Sequence, residues 1–254
     1  MRRLLLVLVA AALLLAGAFV YLAPASLLAT RVERATGGTL KARDVEGTVW
    51  RGRGVLAAAD TQLPIAWTVD PEPLLHGELR AHISAFDGIG RLPRADVVAR
   101  RNSVILRDVD ITLPLPLAVD ALGGSIARRV GALADGDLAI RSTRLEWVPP
   151  TVNGDLVVVW RNARFGLPTF APIDLGDVTA TLAADGARLA GPVANSGGAM
   201  DIRGDVAVRP DRTGTISLLL TPRRADDATL ARALATIGSP EGAGWRVNWQ
   251  TPPR

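Results

Sequence analysis

Apolar positions along the chain follow three patterns, and the first is continuous. Leu4 to Ala23 reads LLLVLVAAALLLAGAFVYLA, twenty residues without a charge. As a helix this run rises about 30 Å, the thickness of a bilayer core. Arg2 and Arg3 precede it and Tyr21 lies near its far end. Basic residues stay on the cytoplasmic side, which would send the remainder of the chain across. The expectation is a signal-anchor over residues 1–25 and an extracytoplasmic β-rich domain over 26–254. A cleaved signal is the alternative, since Ala23-Pro24-Ala25 has the small–x–small form of a cleavage site. Its apolar region usually runs only about 7–15 residues. No later apolar run approaches the length of a second span, which argues against a multi-span transporter.

The second pattern is alternation. Gly77 to Phe86 sets Leu79, Ala81, Ile83 and Ala85 against Glu78, Arg80, His82 and Ser84, the period of a half-buried strand. Leu63–Val69, Ala95–Leu106, Thr151–Trp160, Pro172–Leu182, Met200–Val208 and Thr215–Thr221 are further strands, as is the Trp245, Val247, Trp249 alternation. Leu138 and Ile140 alternate with Asp137 and Arg141, and Thr48-Val49-Trp50 reads as a short β-like stretch. Thr151–Trp160 is apolar on both faces, as a central strand would be. Pro114 and Pro116 assign Val109–Leu117 to an edge or exit segment.

The third pattern has helical spacing and is brief. It covers Ser26–Thr36 and residues 118–133, where Val119, Leu122, Ile126, Val130 and Leu133 form a stripe. It recurs over 226–237, with Asp226 as cap and Gly238 at the C-terminal end. Together the patterns predict a mainly β protein. An N-terminal transmembrane helix precedes a curved, largely antiparallel sheet or partly open barrel with two or three short helices.

Charge adds little. The net charge is +4, but Lys41 is the only lysine among 29 basic residues. Arginine keeps its charge at high pH and lifts the pI, about 10.7, far more than the charge at neutrality. Without Arg2 and Arg3, 27 basic residues face 25 acidic ones in interspersed order. No nucleic-acid partner is expected from such a balance.

Candidate chemistry is sparse. The chain has no cysteine and two histidines, His76 and His82, which removes thiolate chemistry and cysteine-ligated metals. No phosphate loop, HExxH or GxSxG pattern occurs. Arg51-Gly52-Arg53-Gly54 lacks the spacing of a nucleotide loop. Asp70-Pro71-Glu72 near His76 reads as a solvated turn, Asp226/Asp227 as a helix start and Asp108/Asp110 as a strand flank. No catalytic, cofactor-binding or metal-ligating residue is assigned, and no cofactor is expected. The six tryptophans supply most of the aromatic mass and read as sheet packing. Arg128-Arg129 and Arg223-Arg224 read as solvated basic pairs.

Val45 to Arg53, VEGTVWRGR, resembles a signature of the type II secretion system protein N (GspN) family. A second block of that family is similar to Trp67, Pro71, Leu74 or Leu75, Gly77 and Leu79. Leu115-Pro116-Leu117 and Asp135-Gly136-Asp137-Leu138-Ala139-Ile140 resemble its later pattern. The resemblance implies a structural signature of Gly47, Thr48, Val49, Trp50, Gly52, Trp67, Pro71, Gly77 and Leu79. It implies a non-enzymatic, single-pass protein of the Gram-negative inner membrane, N-terminus cytoplasmic and bulk periplasmic. Such a protein would help export folded periplasmic proteins across the outer membrane by contact with other inner-membrane platform proteins. The implied partners are those proteins, membrane lipid around the N-terminal helix, and, on the alternative reading, lipid in a groove. The family is also similar to AsmA-like periplasmic proteins, so a lipid-binding or lipid-transfer protein with an apolar groove is the alternative.

Overall fold

The computed structural model describes residues 22–251, apart from 36–37, 39, 59–60, 86–93, 116–117, 119–132, 167–170, 212 and 225. The expected membrane helix over Leu4–Ala23 and most of the expected helix over 118–133 lie outside these residues. Leu133, assigned to the end of that second helix, opens a strand instead. Among the described residues no helix is long and apolar enough to cross a membrane.

Among the described residues, fourteen strands form one open antiparallel sheet. They are β1 (Lys41–Gly47), β2 (Arg51–Ala58), β3 (Thr61–Asp70), β4 (Glu78–Ala85), β5 (Arg94–Arg100), β6 (Ser103–Pro114) and β7 (Leu133–Val148). β8 (Thr151–Gly166), β9 (Ile173–Asp185), β10 (Arg188–Ser196), β11 (Met200–Val208), β12 (Gly214–Pro222), β13 (Ser239–Glu241) and β14 (Gly244–Thr251) follow. Each strand through β12 pairs with its sequence neighbour, and the chain ends in the order β12-β14-β13. Among the described residues the sheet is therefore an open meander with its edges at β1 and β13. Helix α1 (Ser26–Ala35) lies against β1, and helix α2 (Ala228–Ile237) joins β12 to β13. One 3₁₀ turn spans Glu72–His76.

Several expectations change at the level of single residues. Arg101-Asn102 turns the chain back, so Ala95–Leu106 is two strands rather than one. β6 is an interior strand bonded to β5 and β7, and Pro114 stands at its very end, where a missing N–H costs no interior ladder bond. Thr48-Val49-Trp50 is the connection between β1 and β2 rather than a strand. The cap of α2 is Asp227, whose side chain accepts from the Leu230 N–H at 2.9 Å, and not Asp226. Gly238 ends the helix in an extended conformation. β8, eighth of the fourteen strands, is central as its two apolar faces suggest.

Direct cross-strand partners share a face, so the registers assign the two faces. One is apolar from end to end: Leu63, Ile65 and Trp67 on β3, Val104 and Leu106 on β6, Leu145 and Trp147 on β7, and Ile202 and Val206 on β11 all belong to it. The opposite face carries the charges, including Glu78, Arg80, Arg100, Arg141 and Arg203. Val98 and Ile105, paired with each other, are buried apolar exceptions there, as are the smaller Ala57 and Ala139.

Two places on the apolar face are closed by helices. α2 lays Leu230 and Leu234 over Ala163, Leu175, Met200, Ile202 and Leu220, with Trp160 and Trp245 packed around them. At the other edge Leu40 is covered by Val32 of α1 and touches Leu63 of β3 and Leu113 of β6. β3 and β6 stand three strands apart, roughly 14 Å in a flat sheet. Shared contact with one leucine therefore requires a strongly curled sheet.

Candidate functional site: an apolar groove and a signature corner

The same curl makes a groove of about 280 Å³, lined by Val104, Leu106, Leu145, Trp147, Val152, Leu189, Val208, Arg209 and Pro210. Val104 on β6 and Val208 on β11 stand five strands apart, roughly 24 Å when flat. They line one groove because the apolar face is concave here. Trp147 and Val208 remain exposed at its wall, so its surface is available to an apolar guest. A recess of about 380 Å³ lies near Arg188, Arg209, Asp211 and Gln250. Two of its charges are occupied: Arg188 pairs with Asp185, and Asp211 accepts from the Thr213 N–H and hydroxyl. Those two bonds hold the Asp211 carboxyl below the usual carboxylate range.

The charged face is laced by exposed pairs. Glu78 sits between Arg80 and Arg100, whose hydrogen bonds lower its pKa. His82 Nδ1 lies 2.7 Å from Asp96 Oδ1, and its Nε2 lies 3.5 Å from Asp70. The Asp96 bond raises the imidazole pKa against a smaller opposing effect of burial. Glu241 is lowered by Arg246. Each exposed pair contributes little stability. Their collective role is to keep this face wetted while the other stays apolar. Among the described residues no group of His, Asp and Glu is arranged to hold a metal. Asp70, Glu72 and His76, considered in the sequence, are not brought together.

Of the residues that the family resemblance singles out, Gly47 to Gly52 and Trp67 meet at one corner. Gly47 ends β1 with φ +94, and a Cβ there would strike the Arg51 carbonyl. Thr48 closes the turn: its N–H donates to the Arg51 carbonyl at 2.9 Å, and its hydroxyl accepts from the Arg51 N–H at 3.2 Å. Gly52, opening β2, sits under the Trp67 ring from β3. The Trp67 indole N–H donates to the Val49 carbonyl at 3.2 Å, and the Val69 N–H donates to the Trp50 carbonyl at 2.6 Å. Pro71 and Gly77 bracket the 3₁₀ turn on the neighbouring connection, Gly77 with φ +71, and Leu79 follows on β4. Gly47 to Gly52 and Trp67 thus form one unit. Pro71, Gly77 and Leu79 belong to the next connection along the sheet.

The corner also grips the segment just after the apolar run. The Val49 N–H donates to the Ala23 carbonyl at 2.9 Å and the Ala25 N–H to the Gly47 carbonyl at 3.1 Å, with Pro24 bridged to Thr48. Sequence reasoning did not anticipate this grip, because no local pattern in Ala23-Pro24-Ala25 reports a partner so far along the chain. It also missed Asn195, a side-chain bracket in the second half. The Asn195 amide donates to the Leu175 carbonyl at 2.7 Å and the Met200 carbonyl at 2.9 Å, and its oxygen accepts from the Ile202 N–H at 2.8 Å.

Among protein-family models, that for the type II secretion system (T2SS), protein N, matches residues 38–248. No curated protein matches the chain, and no solved structure does.

Proposed function

The chain belongs to the type II secretion system protein N family, and from that premise we propose that it is a non-enzymatic inner-membrane component of the secretion apparatus. Residues 4–23 anchor it in a single pass, with the N-terminus cytoplasmic and the sheet in the periplasm. It assists export of folded periplasmic proteins across the outer membrane by contact with other platform proteins. The observation that carries this reading is the family match, which runs across nearly the whole sheet. An open sheet with two free edges supports it, because unpaired strands offer a partner backbone hydrogen bonds.

A second reading has its own support in the apolar groove at Leu106, Leu145 and Trp147. That lining suits an acyl chain, and a lipid-binding protein would use it. Affinity purification from gently solubilised membranes, read by mass spectrometry for proteins and lipids, separates the two. Recovery of inner-membrane secretion proteins with little bound lipid supports the first. A stoichiometric lipid that survives washing, without those proteins, overturns it in favour of the second.

A further inference from the structure

The connections after β1, β3, β5, β7, β9 and β11 all lie at one end of the sheet, because every neighbouring pair in the meander is antiparallel. These are residues 48–50, 71–77, 101–102, 149–150, 186–187 and 209–213, none longer than seven residues. The exposed leucines collect at the β1–β4 part of this end. Leu75 is 85% exposed, Leu22 67% and Leu27 52%, with Leu74 also open to solvent. Leu74 and Leu75 project from the 3₁₀ turn, which Pro71 opens and Gly77 closes in the left-handed region and which buries none of its residues. Nothing in the packing of this turn calls for two adjacent leucines.

Two further observations say what covers them. The twenty-residue apolar run ends at Ala23, and Ala23 is bonded to Val49 in the same corner. Val69, bonded to Trp50, leads within two residues into the leucine turn. No flexible linker separates the run from the sheet. A bilayer holding the run would therefore meet Leu22, Leu27, Leu74 and Leu75 at its surface. Of the charges here, Arg53 pairs with Glu46 and Glu78 with Arg80 and Arg100, while Arg51 at the corner and Glu72 on the turn, of opposite sign, stand exposed. What the corner offers a membrane is apolar side chain rather than net charge.

We propose that the β1–β4 end of the sheet rests in the bilayer interface, with Leu74 and Leu75 inserted as an apolar foot beside the N-terminal anchor. This rests on the reading of residues 4–23 as a membrane anchor. Apolar side chains at such a surface sit about 5–10 Å into the headgroup and acyl boundary. The foot sets the tilt of the sheet at the surface, and the grip on Ala23 and Ala25 holds the end of the apolar run to the same corner. Contact of this kind persists in high salt, because it does not depend on attraction to anionic headgroups.

The chain has no cysteine, so single-cysteine probes are unambiguous. The full chain carrying L75C, or S239C at the opposite end of the sheet, is labelled with a polarity-sensitive fluorophore. Each is reconstituted into phosphatidylethanolamine and phosphatidylglycerol vesicles bearing nitroxide-labelled acyl chains. The expected result is a blue-shifted, nitroxide-quenched signal at L75C, unchanged by high salt, and a water-like, unquenched signal at S239C. If the protein floats with the vesicles but L75C behaves like S239C, the foot is overturned and the anchor stands. If the protein does not float, the anchor reading fails and the foot fails with it.

Discussion

Gly52→Ala tests whether the corner is held by packing that only glycine permits. A Cβ built on Gly52 stands 2.7 Å from the Glu46 carbonyl oxygen, 2.9 Å from Trp67 Cε2, and overlaps Trp67 Cζ2. The Glu46 contact is backbone and cannot swing away. The indole can shift only by weakening its hydrogen bond to Val49. Overpacking of this kind costs about 1–3 kcal/mol, and the strained hydrogen bond adds about 1 kcal/mol. Reduced freedom of the unfolded chain returns about 0.4–1 kcal/mol. The net loss is about 1–3.6 kcal/mol. For a chain of this size that is a fall of roughly 2–14 °C in Tm, read by thermal unfolding of the full chain in detergent. Trp67→Ala costs stability too, but it removes the overlapping ring. The double variant should therefore lose less than the sum of the singles, with a coupling of about 0.5 kcal/mol or more. A Gly52→Ala protein with unchanged Tm, or strictly additive losses, refutes the packing account.

Leu234→Ala empties a site that is 1% exposed beneath α2 and should cost about 2–5 kcal/mol in denaturant unfolding. Asn195→Asp replaces a donor to the Leu175, Gly197 and Met200 carbonyls with a carboxylate that can only accept. It should cost at least about 1–3 kcal/mol for each carbonyl left unsatisfied, more than Asn195→Ala, in the same assay. NMR titration of the His82 imidazole should give a midpoint above the ordinary histidine value of 6.5, and Asp96→Asn should bring it down. Because the folded pKa is raised, the stabilisation is fully present below the ordinary value. It is lost as pH rises through the elevated one.

Strand identity was legible wherever polar and apolar residues alternate, as in β4, β11 and β14, because one face is wet and the other is not. The helix over 226–237 was legible to within a residue. The choice between Asp226 and Asp227 as its cap was not, since both have the required side chain and only backbone geometry decides. The split of Ala95–Leu106 escaped because Arg101-Asn102 carries neither glycine nor proline. The interior place of β6 escaped because a proline at the last position of a strand and one in its middle look alike in sequence. Of the site, Gly47 to Gly52 stood out as a motif. Its closure onto Trp67 and onto Ala23 is set by pairings between distant segments that no local pattern encodes.

The curl of the sheet connects these features. A flat sheet with one apolar face would leave that face open along its whole width, more than the described helices α1 and α2 can cover. Curling brings β3 toward β6 at Leu40, and β6 toward β11 at the groove. The apolar face then hides much of itself against itself. The remainder is divided: α2 closes the β8–β14 portion around Leu230 and Leu234, while Trp147 and Val208 stay exposed at the groove. The edges are managed separately. β13 has only three residues. β1 carries Lys41, Arg43 and Glu46 and an irregular register between Arg43 and Glu46, and it accepts the Ala25 N–H at its end. Charge and irregular register both discourage edge-to-edge pairing with another copy. Besides the two edges, the described residues leave open the groove and the leucine turn, two apolar surfaces on a sheet whose other face carries many paired charges. An apolar partner, whether lipid or protein, has these two places to bind.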